Sequence, residues 1–208
     1  MKGVFCIEGF WYGDQRDKTS VYPVLDVVHR YEGMPFIHHR CATVKEFEYC
    51  MSRWKTKSFH EKYPLLYLSF HGEKGIIKIG KETVSIDELA DLLEDKCNGV
   101  IIYFGACSTV DIDKRKLQSF MNKTGTLAVF GYRKDVDWLR SASFEILLLS
   151  YFLRYPFDSS GIKQMSEELY AEHKYLINQL DFRMELNEKF NFPRKSEKKN
   201  LLIKLRKK

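Results

Sequence analysis

Two short runs, Pro64–Phe70 (PLLYLSF) and Gly99–Gly105 (GVIIYFG), contain no charged residue and are too short to be buried helices. Runs of this kind are strands covered on both faces, as in a parallel sheet flanked by helices. The rest of the chain supplies the alternation such a sheet needs. Val4–Phe10 and Pro35–Ala42 are further strands, and Ser20–Tyr31 places Val21, Val24, Leu25 and Val28 at helical spacing. Thr43 is followed three residues on by Glu46, a capping box for a helix to about Lys57. Gly75–Ser85 (GIIKIGKETVS) reads as a hairpin turning at Gly80-Lys81, and Ser85 with Glu88 opens a helix to about Asp95. Lys114–Asn122 is amphipathic, Thr126–Tyr132 is a strand, and Leu139–Leu153 and Gly161–Leu186 are long helices. The order β-α-β-α-β-hairpin-α-β-α-β-α-α predicts an α/β fold. It is a three-layer sandwich with a mostly parallel central sheet, helices on both faces, and a small hairpin after the strand that ends in His71.

A chain of 208 residues, 44% hydrophobic and 30% charged, has enough apolar surface for one core under a charged shell. The expected division is a domain over 1–192 and a basic tail over 193–208. The tail holds eight basic residues and one acid, so it carries +7 of a chain total of +6 and leaves the domain at −1. Basicity is thus a property of the tail, which speaks against a nucleic-acid surface on the domain and leaves one open for the tail. No apolar run reaches the ~18–20 residues that span a bilayer, and MKGVFCIEGFWYGD reads as a first core strand rather than a signal peptide. Five cysteines with no CxxC are not a disulfide framework and suit a reducing, cytoplasmic setting.

In open parallel sheets the binding crevice lies beyond the carboxyl ends of the strands. The Pro64–Phe70 strand runs into His71-Gly72, and the Gly99–Gly105 strand into Ala106-Cys107-Ser108. If the two strands are neighbours, an imidazole and a thiol lie side by side although 36 residues separate them. A free thiol, with a pKa of ~8.5, is mostly protonated at neutral pH. An adjacent imidazole takes its proton as general base or stabilises the thiolate as imidazolium. The N–H groups of Gly72 and Cys107 are candidates for an oxyanion hole.

The segments LLYLSFHG (65–72) and GVIIYFGACST (99–109) resemble the two motifs of caspase-like (clan CD) cysteine peptidases. The CHAT branch is the most similar. Its second motif commonly ends Ala-Cys-x-Thr, as in Ala106-Cys107-Ser108-Thr109. GIIKIGKETVSIDELADLLE is similar to that branch's hairpin and helix, and TLAVFGYRKDVDW and SFEILLLSYF to its following strand and helix. The resemblance covers about Pro64 to Phe152. It implies a caspase-like sandwich and a cysteine endopeptidase with Cys107 as nucleophile and His71 as general acid/base, needing neither metal nor organic cofactor. It also implies a protein substrate. Small stand-alone bacterial members often act on a dedicated partner protein, including in defence against phage. Gly105 stands where many members carry an Asp or Gln that lines the first specificity pocket. The loop Tyr132–Trp138 borders that pocket in the family. Its Asp137 and Asp135 are therefore candidates for selecting a basic residue, Asp137 first because it matches a recurring acidic position. Glu8 is a weaker candidate for the same role.

Other motifs carry less. Gly75–Lys81 fits most of a P-loop, but Glu82 replaces the Ser or Thr that would meet magnesium, and the stretch reads as a strand. His38, His39 and Cys41 cluster in sequence, but neighbours on a strand point to opposite faces and no fourth ligand is evident, so no metal site is expected. Two rival readings stand beside the peptidase: a catalytically silent binding or regulatory module of the same fold, and a nucleic-acid-binding protein acting through its tail.

Overall fold

The computed structural model describes residues 2–12, 16 and 18–190, so the expected tail lies outside the described residues. The first half of the chain forms β1 (Val4–Glu8), α1 (Tyr22–Glu32), β2 (Phe36–Arg40), α2 (Val44–Trp54), α3 (Lys57–Lys62) and β3 (Leu65–Ser69). Then come β4 (His71–Glu73), β5 (Ile76–Ile79), β6 (Glu82–Ser85), α4 (Ile86–Leu92) and β7 (Ile101–Phe104). The remainder forms α5 (Lys114–Thr124), β8 (Ala128–Tyr132), α6 (Trp138–Arg154), α7 (Ser159–Leu180) and β9 (Phe182–Leu186).

Six strands make the central sheet in the order β2-β1-β3-β7-β8-β9, parallel except for β9, which runs antiparallel to β8. The period-2 pattern of the strands splits their side chains between two cores. Val4, Cys6, Leu65, Tyr67, Ile101, Tyr103 and Phe130 face α1, α6 and α7. Phe5, Ile7, Leu66, Leu68, Ile102 and Phe104 face α2, α4 and α5. Helices therefore cover both faces, and the three-layer α/β sandwich read from the sequence is the observed fold. Both capping boxes form: Thr43 and Ser85 accept from the backbone of Glu46 and Glu88, whose side chains reach back.

The structure departs from the sequence reading in three places. The helix expected to run to Leu186 stops at Leu180, because Asp181 adopts a left-handed backbone (φ 47) and caps it. A short polar side chain tolerates that conformation better than most. FRMEL then alternates as an edge strand, with Arg183 bonded to the carbonyls of Val110 and Ile112. Second, the helix expected to reach Lys57 ends at Trp54, and a separate short helix follows. Third, the hairpin gains a strand: His71–Glu73 pairs antiparallel with β5, giving a second sheet of order β4-β5-β6. Ile77, Ile79 and Val84 seat that small sheet on the α2/α4/α5 side.

Candidate active site

Register brings the two motifs together. β3 and β7 are parallel neighbours, with Leu65 opposite Ile101 and Leu68 opposite Phe104, a constant offset of 36 residues. The amide of Gly105 continues the ladder to the Leu68 carbonyl at 2.9 Å. Carried forward, the same offset matches His71 with Cys107. Both residues line one open cleft of about 960 Å³, together with Gly72, Lys78, Ser108 and Asp135. The cleft lies at the carboxyl ends of the parallel strands. The sheet order reverses between β1 and β3, the switch point where α/β crevices form.

Gly72 allows the contact. A Cβ at this position would sit 2.2 Å from Thr109 Oγ1, 2.5 Å from the Cys107 carbonyl oxygen and 3.1 Å from Ala106 Cβ. The glycine thus permits the closeness of the two motifs. Ser108, directly after the thiol, has φ 57, an unusual conformation for a residue with a side chain. It is held by its N–H on the Lys134 carbonyl (3.3 Å) and by its hydroxyl on Asp135 Oδ1 (3.2 Å). The turn leaves Cys107 lining the cleft, whereas the other four thiols are buried away from it. Residues held in such conformations at a cost of ~1–3 kcal/mol concentrate at functional sites.

The exposed ring of His71 is fixed from the other side. Its Nε2 lies 2.5 Å from the Trp11 carbonyl oxygen, and since a carbonyl only accepts, Nε2 carries the hydrogen. In the neutral ring Nδ1 is then the free base. Trp11 meets His71 edge-on at 5.0 Å between centroids and Trp138 at 4.9 Å. Its indole Nε1 donates to Glu8 Oε1 at 2.7 Å. Glu8 also accepts from Ser20 Oγ (2.6 Å) and the Val21 amide (2.9 Å), and pairs with His38 Nε2 (2.7 Å). Burial pushes the Glu8 carboxyl up, but hydrogen bonds from His38, Ser20, Trp11 and Val21 outweigh it, and the net shift is downward. A wholly buried carboxylate at the end of β1 thus organises the loop that holds the histidine.

The Cys107 thiol is half-buried, and its pKa is raised, first by burial and then by the negative charge of Asp135. The backbone amides of Val136 and Cys107 pull in the opposite direction. The net shift is upward, so burial favours the neutral thiol and the arrangement suits base-assisted attack rather than a standing thiolate.

The expected specificity residues separate. Asp135 faces the cleft. Asp137 is the N-cap of α6 and accepts from the Arg140 amide at 3.0 Å, so its carboxylate is taken up by the helix end. At Gly105 a larger side chain has no room, since a Cβ there would lie 2.4 Å from the Tyr67 ring. Glu8 is 0% exposed and directed at its four partners. His38 is engaged with Glu8, and Cys41 Sγ lies 3.7 Å from Cys50 Sγ.

The sequence reading missed Trp11 and Glu145. Glu145 lies on α6, 4% exposed, where its carboxylate accepts from the hydroxyls of Tyr67 (2.6 Å), Tyr103 (2.7 Å) and Tyr132 (3.3 Å). Its signal was available: an acid on the face that carries Ser141, Phe144, Leu148, Leu149 and Phe152, all buried. Trp11 bonds His71 through its carbonyl, which any residue type possesses, so that contact gave no signal in the sequence.

No curated protein matches the sequence. Among solved structures the chain is similar to caspase-1 from Spodoptera frugiperda at 17% identity and a TM-score of 0.38, over 51% of this chain and 48% of that one. It therefore spans about half the length of that relative. Among the described residues no helix is long and apolar enough to cross a membrane. The family model described as a family of unknown function, DUF6642, matches residues 1–185, and the chain belongs to that family.

Proposed function

We propose that this protein is a cysteine endopeptidase that uses Cys107 as nucleophile and His71 as general acid/base. The observation that supports this most is the shared cleft. Its lining includes both an exposed imidazole, bonded through Nε2, and the half-buried thiol, which follow adjacent parallel strands. In this reading His71 Nδ1 takes the thiol proton as Sγ attacks the scissile carbonyl carbon. The backbone N–H groups of Gly72 and Cys107 stabilise the oxyanion. Collapse expels the amine, which receives the proton from His71 and leaves an acyl thioester. Water, deprotonated by His71, then releases the acid and restores the thiol. No cofactor enters this chemistry. The substrate is a protein cut after a basic residue, with a dedicated partner protein as its source. The Ala106-Cys107-Ser108-Thr109 ending supports a CHAT-type member, and five unpaired cysteines support a cytoplasmic setting.

Digestion of a proteome-derived peptide library tests this. Wild-type protein generates new N-termini, whereas Cys107→Ala and His71→Ala generate none while remaining folded. Cleavage retained by Cys107→Ala ends the enzyme assignment. The raised thiol pKa favours one alternative, a silent module that kept the fold. Alkylation separates the two, because His71→Ala slows labelling of an assisted Cys107 at neutral pH and leaves that of a silent module unchanged.

A further inference from the structure

A second pair of reactive side chains lies outside the cleft. Cys41 Sγ and Cys50 Sγ are 3.7 Å apart in the core under α2. Separate parts of the backbone hold them. Cys41 follows β2, and its amide donates to the Glu8 carbonyl at 2.8 Å, which carries the parallel ladder one residue past the strand. Cys50 lies on α2, about two turns past the Thr43 cap. The capping box fixes where that helix starts, and Phe47, Met51 and Trp54 bury its inner face. A disulfide of ~2.05 Å requires the sulfurs to approach by about 1.7 Å. Rotation about the two Cα–Cβ bonds supplies such a movement with strand and helix in place. The two thiols are unequal. Cys41 is 0% exposed and Cys50 8%. Burial pushes both up, and with Cys41 as the donor the hydrogen bond between them favours the Cys50 thiolate and disfavours that of Cys41. The pair also sits beside the hairpin that flanks the cleft. The Ala42 carbonyl oxygen would lie 2.4 Å from a Cβ at Gly80, a cleft residue, and Glu82 accepts from the Val44 amide at 3.4 Å.

We propose that Cys41 and Cys50 are a redox modification site, converted to a disulfide by hydrogen peroxide, with Cys50 reacting first. The Cys50 sulfur, as thiolate, attacks one peroxide oxygen and the O–O bond breaks. This gives Cys50 sulfenic acid, and the departing hydroxide leaves as water with the proton that Cys50 gave up. The Cys41 sulfur then attacks the Cys50 sulfur and the S–O bond breaks, so the leaving hydroxide and the Cys41 proton form a second water. The two thiols together lose two electrons, and the peroxide is reduced to two waters. A small oxidant suits a sulfur that is 8% exposed better than a bulky disulfide does. Thiols held in their neutral form are slow nucleophiles, so the pair depends on proximity. The second sulfur is already in place to capture the sulfenic acid ahead of further oxidation. In a reducing compartment the resting state is the dithiol. The ring closed by the bond includes Ala42 and the Thr43 cap, the stretch that meets the hairpin.

The test treats the folded full chain with excess hydrogen peroxide, blocks the remaining thiols with N-ethylmaleimide in denaturant, and digests with trypsin without reductant. Trypsin cuts after Arg40, Lys45 and Arg53, so the two cysteines fall on separate peptides, 41–45 and 46–53. The disulfide joins them, at a mass two hydrogens below their sum, and dithiothreitol separates them again. In Cys41→Ala the reaction stops at Cys50 sulfenic acid, which dimedone traps, whereas Cys50→Ala leaves Cys41 unlabelled. Wild-type protein and Cys107→Ser give the same joined peptide, so the result is independent of the peptidase reading. Recovery of both cysteines as free thiols overturns the proposal, as does oxidation of Cys50 to sulfinic acid with no joined peptide. So does pairing of Cys41 or Cys50 with Cys6 or Cys97 as often as with each other. Dimedone on Cys41 in folded Cys50→Ala, with none on Cys50 in Cys41→Ala, overturns the order of reaction. The wild-type mapping stands without any variant, should either alanine variant not fold.

Discussion

Gly72→Ala adds one methyl group where the histidine strand touches the cysteine turn. The new Cβ falls 2.2 Å from Thr109 Oγ1 and 2.5 Å from the Cys107 carbonyl oxygen, both well inside van der Waals contact. Thr109 is fully buried, and its hydroxyl is bonded to the Ile76 carbonyl (3.2 Å), so it does not simply swing away. The backbone at 72 is not in the left-handed region, so the cost is contact alone. Overpacking of this kind costs about 1–3 kcal/mol, or about 2–12 °C of Tm at the 2–4 °C per kcal/mol typical of this chain length. If the Cys107 turn yields by ~1 Å, catalysis falls by about a hundredfold, as for other misplacements of reacting groups. Urea unfolding and library cleavage read the two effects separately. Thr109→Ala in the same chain removes the closer clash and leaves the carbonyl clash, so the double variant recovers part of the stability but not the full rate. A Gly72→Ala protein with stability within about 0.5 kcal/mol of wild type and unchanged cleavage would refute the packing argument.

Three further outcomes follow from the same structure. Glu8→Gln loses charge-assisted hydrogen bonds and is less stable by about 1.5–3 kcal/mol at pH 7. Because the folded pKa of Glu8 is depressed below 4.5, its contribution is present above that value and fades as pH falls through the folded pKa. Unfolding curves of the two proteins therefore converge in acid, and a constant gap from pH 7 to pH 3 would contradict this. Asp135→Asn removes a charge that raises the Cys107 pKa, so iodoacetamide labels Cys107 faster at pH 7.5 by mass spectrometry, and slower labelling counts against the assignment. Truncation after Pro193 leaves stability within about 1 kcal/mol and removes any salt-dependent binding to mixed-sequence DNA or RNA. A large drop in Tm would place Leu201–Leu205 in the core.

What the sequence disclosed, and what it withheld, follows from the range of each signal. PLLYLSF and GVIIYFG carry no charged residue, so the two central strands and the reactive residues beyond them stood out. Thr43/Glu46 and Ser85/Glu88 are reciprocal local pairs, readable within four residues, and both form. β9 was hidden because its boundary is an aspartate in a left-handed turn, without the glycine or proline that normally marks a break. The specificity candidates were less legible, since capping by Asp137 and the closeness of Tyr67 to Gly105 depend on how α6 and β3 pack. Glu145 meets Tyr67 across 78 residues and Tyr103 across 42. No local pattern encodes such a partnership. The lone acid on an apolar helix face was its only trace.

The pairing of His71 with Cys107 is tested most directly by the pH dependence of Cys107 alkylation in wild-type protein and His71→Ala. Burial and the Asp135 charge push the unassisted thiol up, so its reaction without a base depends on a small thiolate fraction at neutral pH. With His71 accepting the proton through Nδ1, wild-type Cys107 reacts at pH 7 at least about a hundredfold faster than in His71→Ala, within the range of general-base assistance. The two rates converge in alkali, where the thiol ionises unaided. Superimposable profiles for the two proteins, both rising only in alkali, would contradict the dyad.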